Sequence, residues 1–222
     1  MFERDYLIRL ITQAAKAIGA VMGLKEQQKK EQALEQIDEF LGKELRMKTR
    51  IAMGLSDEGL LAMLSVGGIP NPESTAIIAA FLQEEAELLD DMGRTDESVP
   101  RFAKALRLSL YVLRENGEID GWDLTARIER LLASLAPYVW DAATIRAVWQ
   151  WRESCGQWAS AEDLLYELRE QAGIELAEGL AFYDRLAAQG DESLAAGGLP
   201  RSELEEGRRQ WAAAARTEES NE

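Results

Sequence analysis

The sequence predicts an all-α fold made of antiparallel helical hairpins. Apolar residues recur every three or four positions along most of the 222 residues, which is typical of one buried face on a helix. Glycine, asparagine and proline interrupt this pattern at short intervals, and short connections favour antiparallel neighbours. No segment shows a convincing strand alternation. These observations together indicate stacked helical hairpins.

The N-terminal region is predicted to be a helical hairpin. Its two helices are expected at 2–22 and 25–50, with Gly23 between them as a helix-ending glycine. Ser56 is expected to cap a short helix that follows. The segment Val-Gly-Gly-Ile-Pro-Asn-Pro at 66–72 is the clearest turn signal in the chain. It predicts a boundary between an N-terminal region and a helical repeat-like domain, at 1–66 and 73–216.

Further helices are predicted from the same periodicity. Asp141 and Ser160 are predicted N-caps, and Ser202 with Glu205 has the spacing of a capping box. The small, polar and acidic tail at 217–222 is expected to be disordered. The predicted helices are 73–92, 98–115, 121–135, 142–155, 160–172, 174–189 and 202–215.

Composition restricts the function of the chain. The 46% hydrophobic content predicts a globular core, and the net charge of −15 argues against a nucleic-acid or anionic membrane partner. The charge is uneven, at +2 over 1–54 and −17 over 55–222. Charged residues interrupt the N-terminal apolar stretch, and no apolar run approaches the length of a membrane span. We therefore expect a cytoplasmic protein.

The absence of histidine excludes most familiar catalytic sites. It removes Ser-His-Asp and Cys-His catalysis, histidine general bases and His-ligated zinc. The single cysteine, Cys155, follows Glu153 closely, and that negative charge does not favour a thiolate. The sequence therefore favours a protein that is not an enzyme. It predicts no catalytic residue, metal ion or cofactor.

Two segments share a turn pattern. In each, a helix-ending glycine is followed five positions later by a small residue, four positions after that by a large apolar residue, and three further on by another residue of the helix face. The small residue allows two helices to approach closely, and the large one fills the space between hairpins. The two sets are Gly93, Ser98, Phe102 and Ala105, and Gly156, Ala161, Leu165 and Leu168.

This pattern resembles the tetratricopeptide repeat, whose unit is a helix–turn–helix of about 34 residues. The first segment fits better, with Ala86 and Ala105 at small positions, whereas Trp149 and Leu168 depart from the pattern in the second. The glycines lie 63 positions apart, so the helix at 121–135 must fill the interval. The resemblance implies a short tetratricopeptide-like solenoid behind the N-terminal hairpin. From its Met-Phe-Glu-Arg-Asp-Tyr start, the whole chain also resembles an uncharacterised bacterial family of helical proteins.

The repeat resemblance implies a binding groove along the first helix of each hairpin. Counting from the two glycines predicts a polar, net acidic surface, which suits a protein or peptide of basic or amide-rich character. Trp151 cannot share a helix face with Trp149, so we add it as an exposed binding aromatic. The leading hypothesis is therefore a protein-interaction scaffold or adaptor. Its predicted binding residues are Gln83, Glu87, Asp90, Arg146, Gln150, Trp151 and Glu153.

Other interpretations of the same residues stay open. These positions could be ordinary solvated helix faces. The tryptophans could line a pocket in a small-molecule-binding regulatory domain. Glu84, Glu87 and Asp91 share one helical face and could serve a carboxylate-dependent divalent-metal enzyme. The amphipathic N-terminal hairpin could pair with a second copy, which would give a homodimer.

Overall fold

A computed structural model describes residues 2–219, with side chains described for 7–213. The described part of the chain is mostly helical, with twelve helices and two short strands, so the predicted all-α class is confirmed. The strands are β1 (Ser65–Val66) and β2 (Ile69–Pro70). The helices are α1 (Phe2–Glu26), α2 (Lys30–Glu44), α3 (Thr49–Gly54), α4 (Asp57–Met63), α5 (Pro72–Asp91), α6 (Thr95–Asn116), α7 (Leu124–Leu135), α8 (Ala142–Ser154), α9 (Trp158–Glu170), α10 (Leu176–Ala187), α11 (Asp191–Ala196) and α12 (Arg201–Glu219).

The chain forms two compact units, Met1–Trp140 and Asp141–Glu222. This division differs from the sequence-based boundary at 66–72, because α5 packs against α1 and α2 as well as against α6. Helix α12 includes 217–219 of the predicted disordered tail, and residues 220–222 lie outside the described residues.

The N-terminal hairpin forms, but its turns were placed wrongly. Helix α1 continues through Gly23 to Glu26, and the chain turns at Gln28, which has a φ of 59°. The predicted helix at 25–50 is also divided, because α2 ends at Glu44 and Arg46 has a φ of 52°. The Asp38 carboxylate in α2 accepts a hydrogen bond from the Thr49 backbone N–H at 3.0 Å. This contact satisfies a free donor at the start of α3 and favours a second helix.

The turn at 66–72 contains a small β-hairpin that the sequence did not predict. Val66 pairs with Ile69 in antiparallel register. Gly67 and Gly68 have φ values of 62° and 83°, as a two-residue hairpin turn with both central φ angles positive requires. Strands of two residues are too short to show an alternating pattern, so only the turn was visible in the sequence.

The two repeat-like segments each form a helical hairpin. Gly93 joins α5 to α6 with a φ of 72°, and Gly156 joins α8 to α9 with a φ of 70°. Ser98 in α6 and Ala161 in α9 are fully buried, as expected for small residues in these hairpins. The predicted role of glycine and a small residue in these turns is confirmed.

The predicted caps are confirmed at two of four positions. Ser56 Oγ accepts from the Gly59 N–H, and Asp141 Oδ1 accepts from the Thr144 N–H at 2.7 Å. Ser160 is not a cap, because α9 begins at Trp158. Ser202 lies inside α12, which begins at Arg201 after Pro200, so the capping-box prediction was also wrong.

Each unit has its own core. In the first unit α5 is the central helix, and it is buried along most of its length by α1, α2 and α6. In the second unit α8 pairs with α9 and α10 pairs with α12. Large aromatic side chains fill that second core, including Trp149, Phe182, Tyr183 and Trp211.

One described helical segment, Leu7–Glu26 of α1, is long and apolar enough to cross a membrane by length and composition alone. The sequence-based expectation had found no such run. Core helices of soluble proteins and signal sequences pass the same test. Only 22% of this window is buried inside the first unit, at positions that include Leu10, Ala14 and Val21. The cytoplasmic location stays a prediction.

Candidate functional site

The first unit contains a polar groove between α1, α5 and α7. Its volume is about 660 Å³, and it carries four carboxylates and three cations among its lining residues. We call it the α1/α5/α7 groove. Its lining residues are Ile18, Met22, Lys25, Glu26, Gln28, Gln83, Glu84, Glu87, Asp91, Arg127 and Arg130.

Two predicted binding residues, Gln83 and Glu87, lie in this groove and are held by its walls. Lys25 of α1 donates to Glu87 Oε2 at 3.1 Å, and Gln83 Nε2 donates to Glu87 Oε1 at 3.2 Å. Arg127 of α7 donates to Gln83 Oε1 at 3.0 Å. A continuous network therefore links α1, α5 and α7. Since both Glu87 oxygens and both ends of the Gln83 amide are occupied, these residues shape the groove.

The third predicted residue of α5, Asp90, lies outside the groove. Its Oδ1 accepts a hydrogen bond from Ser98 Oγ of α6 at 3.3 Å. The neighbouring Asp91 lines the groove instead, with its Oδ2 3.5 Å from Lys25 Nζ. Burial lowers the pKa of Lys25, but hydrogen bonds and charges of Glu87 and Asp91 outweigh it, so the net shift is upward.

Glu84 differs from the other carboxylates of the groove. Its side chain is only 9% exposed, yet it makes no hydrogen bond or ion pair with any residue that the structure describes. Burying a charge without a partner is unfavourable, and most buried charges in proteins are paired. The Glu84 oxygens are not fully enclosed, so the carboxylate presents an open acceptor to the groove.

The charges around Glu84 act on it from a distance. Burial raises the pKa of Glu84 above its ordinary 4.5, and the Glu87 carboxylate adds to this effect. Arg127, Lys25 and Arg130 lower the pKa without cancelling the increase. Three cations on two walls therefore attract the Glu84 carboxylate, but none of them makes a direct hydrogen bond or ion pair with it.

Arg130 is the groove cation that makes no direct hydrogen bond or ion pair in the described part of the chain, although its charge acts on Glu84 from a distance. It lies three residues after Arg127 on α7, so the two side chains share one helical face. Its side chain is exposed, and it makes no hydrogen bond or ion pair with a described residue. By contrast, Lys25 donates to Glu87, and Arg127 donates one guanidinium hydrogen to Gln83, while the buried Nε of Arg127 has no hydrogen-bond partner among the described residues.

The predicted binding residues of α8 belong to the second unit, where two of them tie α8 to α10. Arg146 forms an ion pair with Glu178 and also donates to the Gly173 carbonyl at 2.5 Å. Glu153 accepts two hydrogen bonds from Arg185, at 2.7 and 2.8 Å. These contacts give Arg146 and Glu153 structural partners on the face where a groove was expected.

The remaining α8 candidates lie at the surface of the second unit. Gln150 lines a shallow cleft of about 440 Å³ together with Glu153 and Arg185. Trp151 is half-buried, and the Arg152 guanidinium lies 4.6 Å from its ring centroid. The role of Gln150 and Trp151 in binding stays a prediction.

The carboxylate cluster that suggested a divalent metal contains protein cations. Lys25 bridges Glu87 and Asp91, two of its three members, and so places an ammonium where a metal ion would have to lie. No group of three or more metal-ligating side chains occurs among the described residues.

Sequence reasoning did not select Lys25, Arg127 or Arg130, and it considered Glu84 only as a possible metal ligand. Repeat counting selects one face of α5 only, and partners from α1 and α7 lie 62 and 44 residues away from their contacts on α5. One signal was present. Arg127 and Arg130 flank the buried stripe of α7, formed by Leu124, Ile128, Leu131 and Leu135, and such flanking positions border a core.

Replacing Glu84 with glutamine is expected to stabilise the protein at neutral pH. Because the pKa of Glu84 is raised in the folded state, the charged carboxylate is disfavoured there relative to the unfolded chain. Below about pH 4.5 the group is protonated in both states, so wild type and variant should be equally stable there. As the pH rises from about 4.5 through the folded-state pKa, the unfolded chain releases this proton first and wild type loses stability. The variant should therefore gain up to about 1 kcal/mol, or roughly 2–4 °C in Tm, and this gain should stay constant at higher pH.

Thermal unfolding followed by circular dichroism between pH 4 and 8 measures this difference. Glu129→Gln is the matched control, since Glu129 is exposed on α7 outside the groove and its replacement removes the same charge. If Glu84→Gln is no more stable than Glu129→Gln at pH 7, Glu84 is not an unpaired buried charge.

The chain belongs to a family of unknown function (DUF6483), whose family model matches residues 1–215. This agrees with the resemblance to an uncharacterised family, and its implied bacterial origin stays a prediction. No curated protein matches the chain. No solved structure matches it either.

Proposed function

We propose that this member of a family of unknown function is a protein-interaction adaptor whose α1/α5/α7 groove binds a basic side chain of a partner protein. The observation that carries the proposal is Glu84, a carboxylate that is 9% exposed, lines the groove and lacks a hydrogen-bond partner among the described residues. A lysine or arginine of the bound protein would donate the hydrogen bond that Glu84 lacks. Hydrogen bonds to a charged group contribute about 1.5–3 kcal/mol.

The groove also suits the aliphatic part of a long basic side chain. Met22 lines the α1 wall and is 52% exposed, which is high for a large apolar residue, and Ile18 lies beside it. Lysine and arginine cover apolar surface with their methylene groups while their charged ends seek polar partners. The flexible methionine can adapt to such a chain.

The helix order supports a protein partner. In the first unit α1 pairs with α2, α5 with α6, and α5 also packs on α1. In a tetratricopeptide-like stack, α1 and α5 would each be the first helix of a hairpin, and those helices line the concave surface, with α7 packed beside them on α6. We include this stacking in the proposal. The groove lies on the surface where such a solenoid would bind a peptide.

Selection from a random dodecapeptide phage library on the immobilised full chain tests the proposal. We expect peptides with arginine or lysine to be enriched. The strongest, made synthetically, should bind wild type at least about tenfold more tightly than Glu84→Gln, since tenfold corresponds to about 1.4 kcal/mol.

The net charge of −15 could attract basic peptides without a specific site. Glu129→Gln controls for this attraction because it removes one exposed carboxylate of the same unit. Equal binding to Glu84→Gln and Glu129→Gln, or no enrichment at all, would refute the adaptor role of this groove.

A small-molecule function is the second candidate. The groove volume of about 660 Å³ lies within the usual range of ligand pockets, roughly 300–1,000 Å³. The tryptophans support a small-molecule pocket less than the sequence suggested, because four of them are buried in the cores: Trp122, Trp149, Trp158 and Trp211. Arginine methyl ester binding to the full chain as tightly as the selected peptides would favour this candidate.

A further inference from the structure

The free charges of the α1/α5/α7 groove differ from one side to the other. Glu84 lies on the central helix α5, and Arg130 lies on the α7 wall. Neither has a hydrogen-bond or ion-pair partner among the described residues. The remaining lining cations, Lys25 and Arg127, already donate to Glu87 and Gln83. The two groups have opposite charge, line one groove and attract each other without direct contact, so each can still accept a direct partner from a bound segment.

We infer that the groove recognises a basic and an acidic residue in one partner segment, the first bound by Glu84 and the second by Arg130. This inference rests on the proposed function. The guanidinium of Arg130 suits a carboxylate, since it can donate two parallel hydrogen bonds to it. Arg130 would then determine specificity, whereas Glu84 would supply most of the binding.

The burial of the two residues predicts different responses to salt. Arg130 is exposed, so its attraction for an acidic residue is screened by ions over about 8–10 Å at 0.10–0.15 M salt. Glu84 is 9% exposed and is screened much less. Raising the salt concentration should therefore remove the preference for the acidic residue before it removes the dependence on the basic one.

The direction of binding follows from the same arrangement. Glu26, which is exposed on the α1 wall, adds negative charge opposite the Arg130 wall. A bound segment should therefore place its acidic residue toward α7 and its basic residue toward α5 and α1. A segment with two basic residues and no acidic one would bring a like charge to Arg130 and bind more weakly.

The same phage library tests this inference on the full-length chain, with wild type, Arg130→Glu and Arg50→Glu as targets. Arg50 is an exposed arginine of α3 outside the groove, so its reversal changes the net charge equally. On wild type and Arg50→Glu we expect aspartate or glutamate within three positions of the basic residue. On Arg130→Glu that preference should disappear or change to a second basic residue.

Affinities of one selected peptide and its acidic-to-glutamine form give the second readout. We expect about a fivefold or larger loss on wild type at low salt and no loss on Arg130→Glu. If the basic residue and Glu84 matter but the acidic residue does not, or Arg50→Glu has the same effect as Arg130→Glu, this inference is wrong and the proposed function stands. If binding does not depend on Glu84, both fail.

Discussion

Replacing Gly179 with alanine is expected to destabilise the second unit by about 2–4 kcal/mol, although alanine is the better helix former. Gly179 lies in α10 and is buried, and a Cβ at this position would overlap the indole ring of Trp211 from α12. The ring would have to leave its site, which removes most of the contribution of a buried tryptophan, about 3–5 kcal/mol. The higher helix propensity of alanine offsets only about 1 kcal/mol of this loss in the free energy of unfolding.

Trp211 has little freedom to shift within its site. It is fully buried, and its Nε1 donates to the Leu176 carbonyl of α10 at 2.9 Å. Tyr166 and Tyr183 pack against it, with ring centroids 5.5 and 6.3 Å away. Displacing the indole would therefore break this hydrogen bond as well as the ring contacts.

Urea unfolding followed by tryptophan fluorescence measures the Gly179 effect well, because four of the six tryptophans lie in 141–222. Gly19→Ala is the matched control. A Cβ at Gly19 in α1 meets nothing within 4 Å, so this change should be neutral or stabilise by up to about 1 kcal/mol. Trp211→Leu should lessen the additional loss caused by Gly179→Ala, since the two positions are in contact. An unchanged or raised midpoint for Gly179→Ala would contradict the packing described here.

The parts of the fold that depend on local sequence were predictable. The helix around 73–92 and the glycine turns at 93 and 156 follow from periodicity and from positive φ angles that glycine adopts easily. The predictions were wrong where a turn signal in the sequence did not coincide with a turn in the folded protein. Gly23 lies inside α1, and the turn that follows uses Gln28, a residue with no turn preference in the sequence.

The candidate site was only partly predictable for the same reason. Counting positions from the repeat glycine identified Gln83 and Glu87, because both lie on the face of α5 that the repeat pattern predicts to be exposed. The state of Glu84 depends on which residues α1 and α7 bring close to it. Lys25, 62 residues away in the sequence, donates to Glu87 and makes no hydrogen bond with Glu84. No local sequence pattern predicts which of the two carboxylates this lysine contacts.

Replacing Lys104 with glutamate is expected to destabilise the first unit by about 3–5 kcal/mol. Lys104 is the one lysine in 55–222, and it is only 3% exposed. Its Nζ donates to the Leu55 carbonyl and lies 3.6 Å from Asp57, so it fastens α6 to the junction of α3 and α4. Burial lowers the pKa of Lys104, and the Asp57 carboxylate opposes that shift. A glutamate here would place a buried carboxylate beside the half-buried carboxylate of Asp57 and the carbonyl oxygen of Leu55.

Lys104→Met separates the loss of the donor from the added charge. Arg107 still pairs with Asp57, so methionine should leave mainly the Leu55 carbonyl unsatisfied and cost about 1–3 kcal/mol. Arg114→Glu, an exposed charge reversal on the same helix, should change the free energy of unfolding by less than about 1 kcal/mol. Circular dichroism in urea measures all three. If Lys104→Glu is no worse than Arg114→Glu, the ammonium is not buried at this junction, and the single lysine of 55–222 has no structural role there.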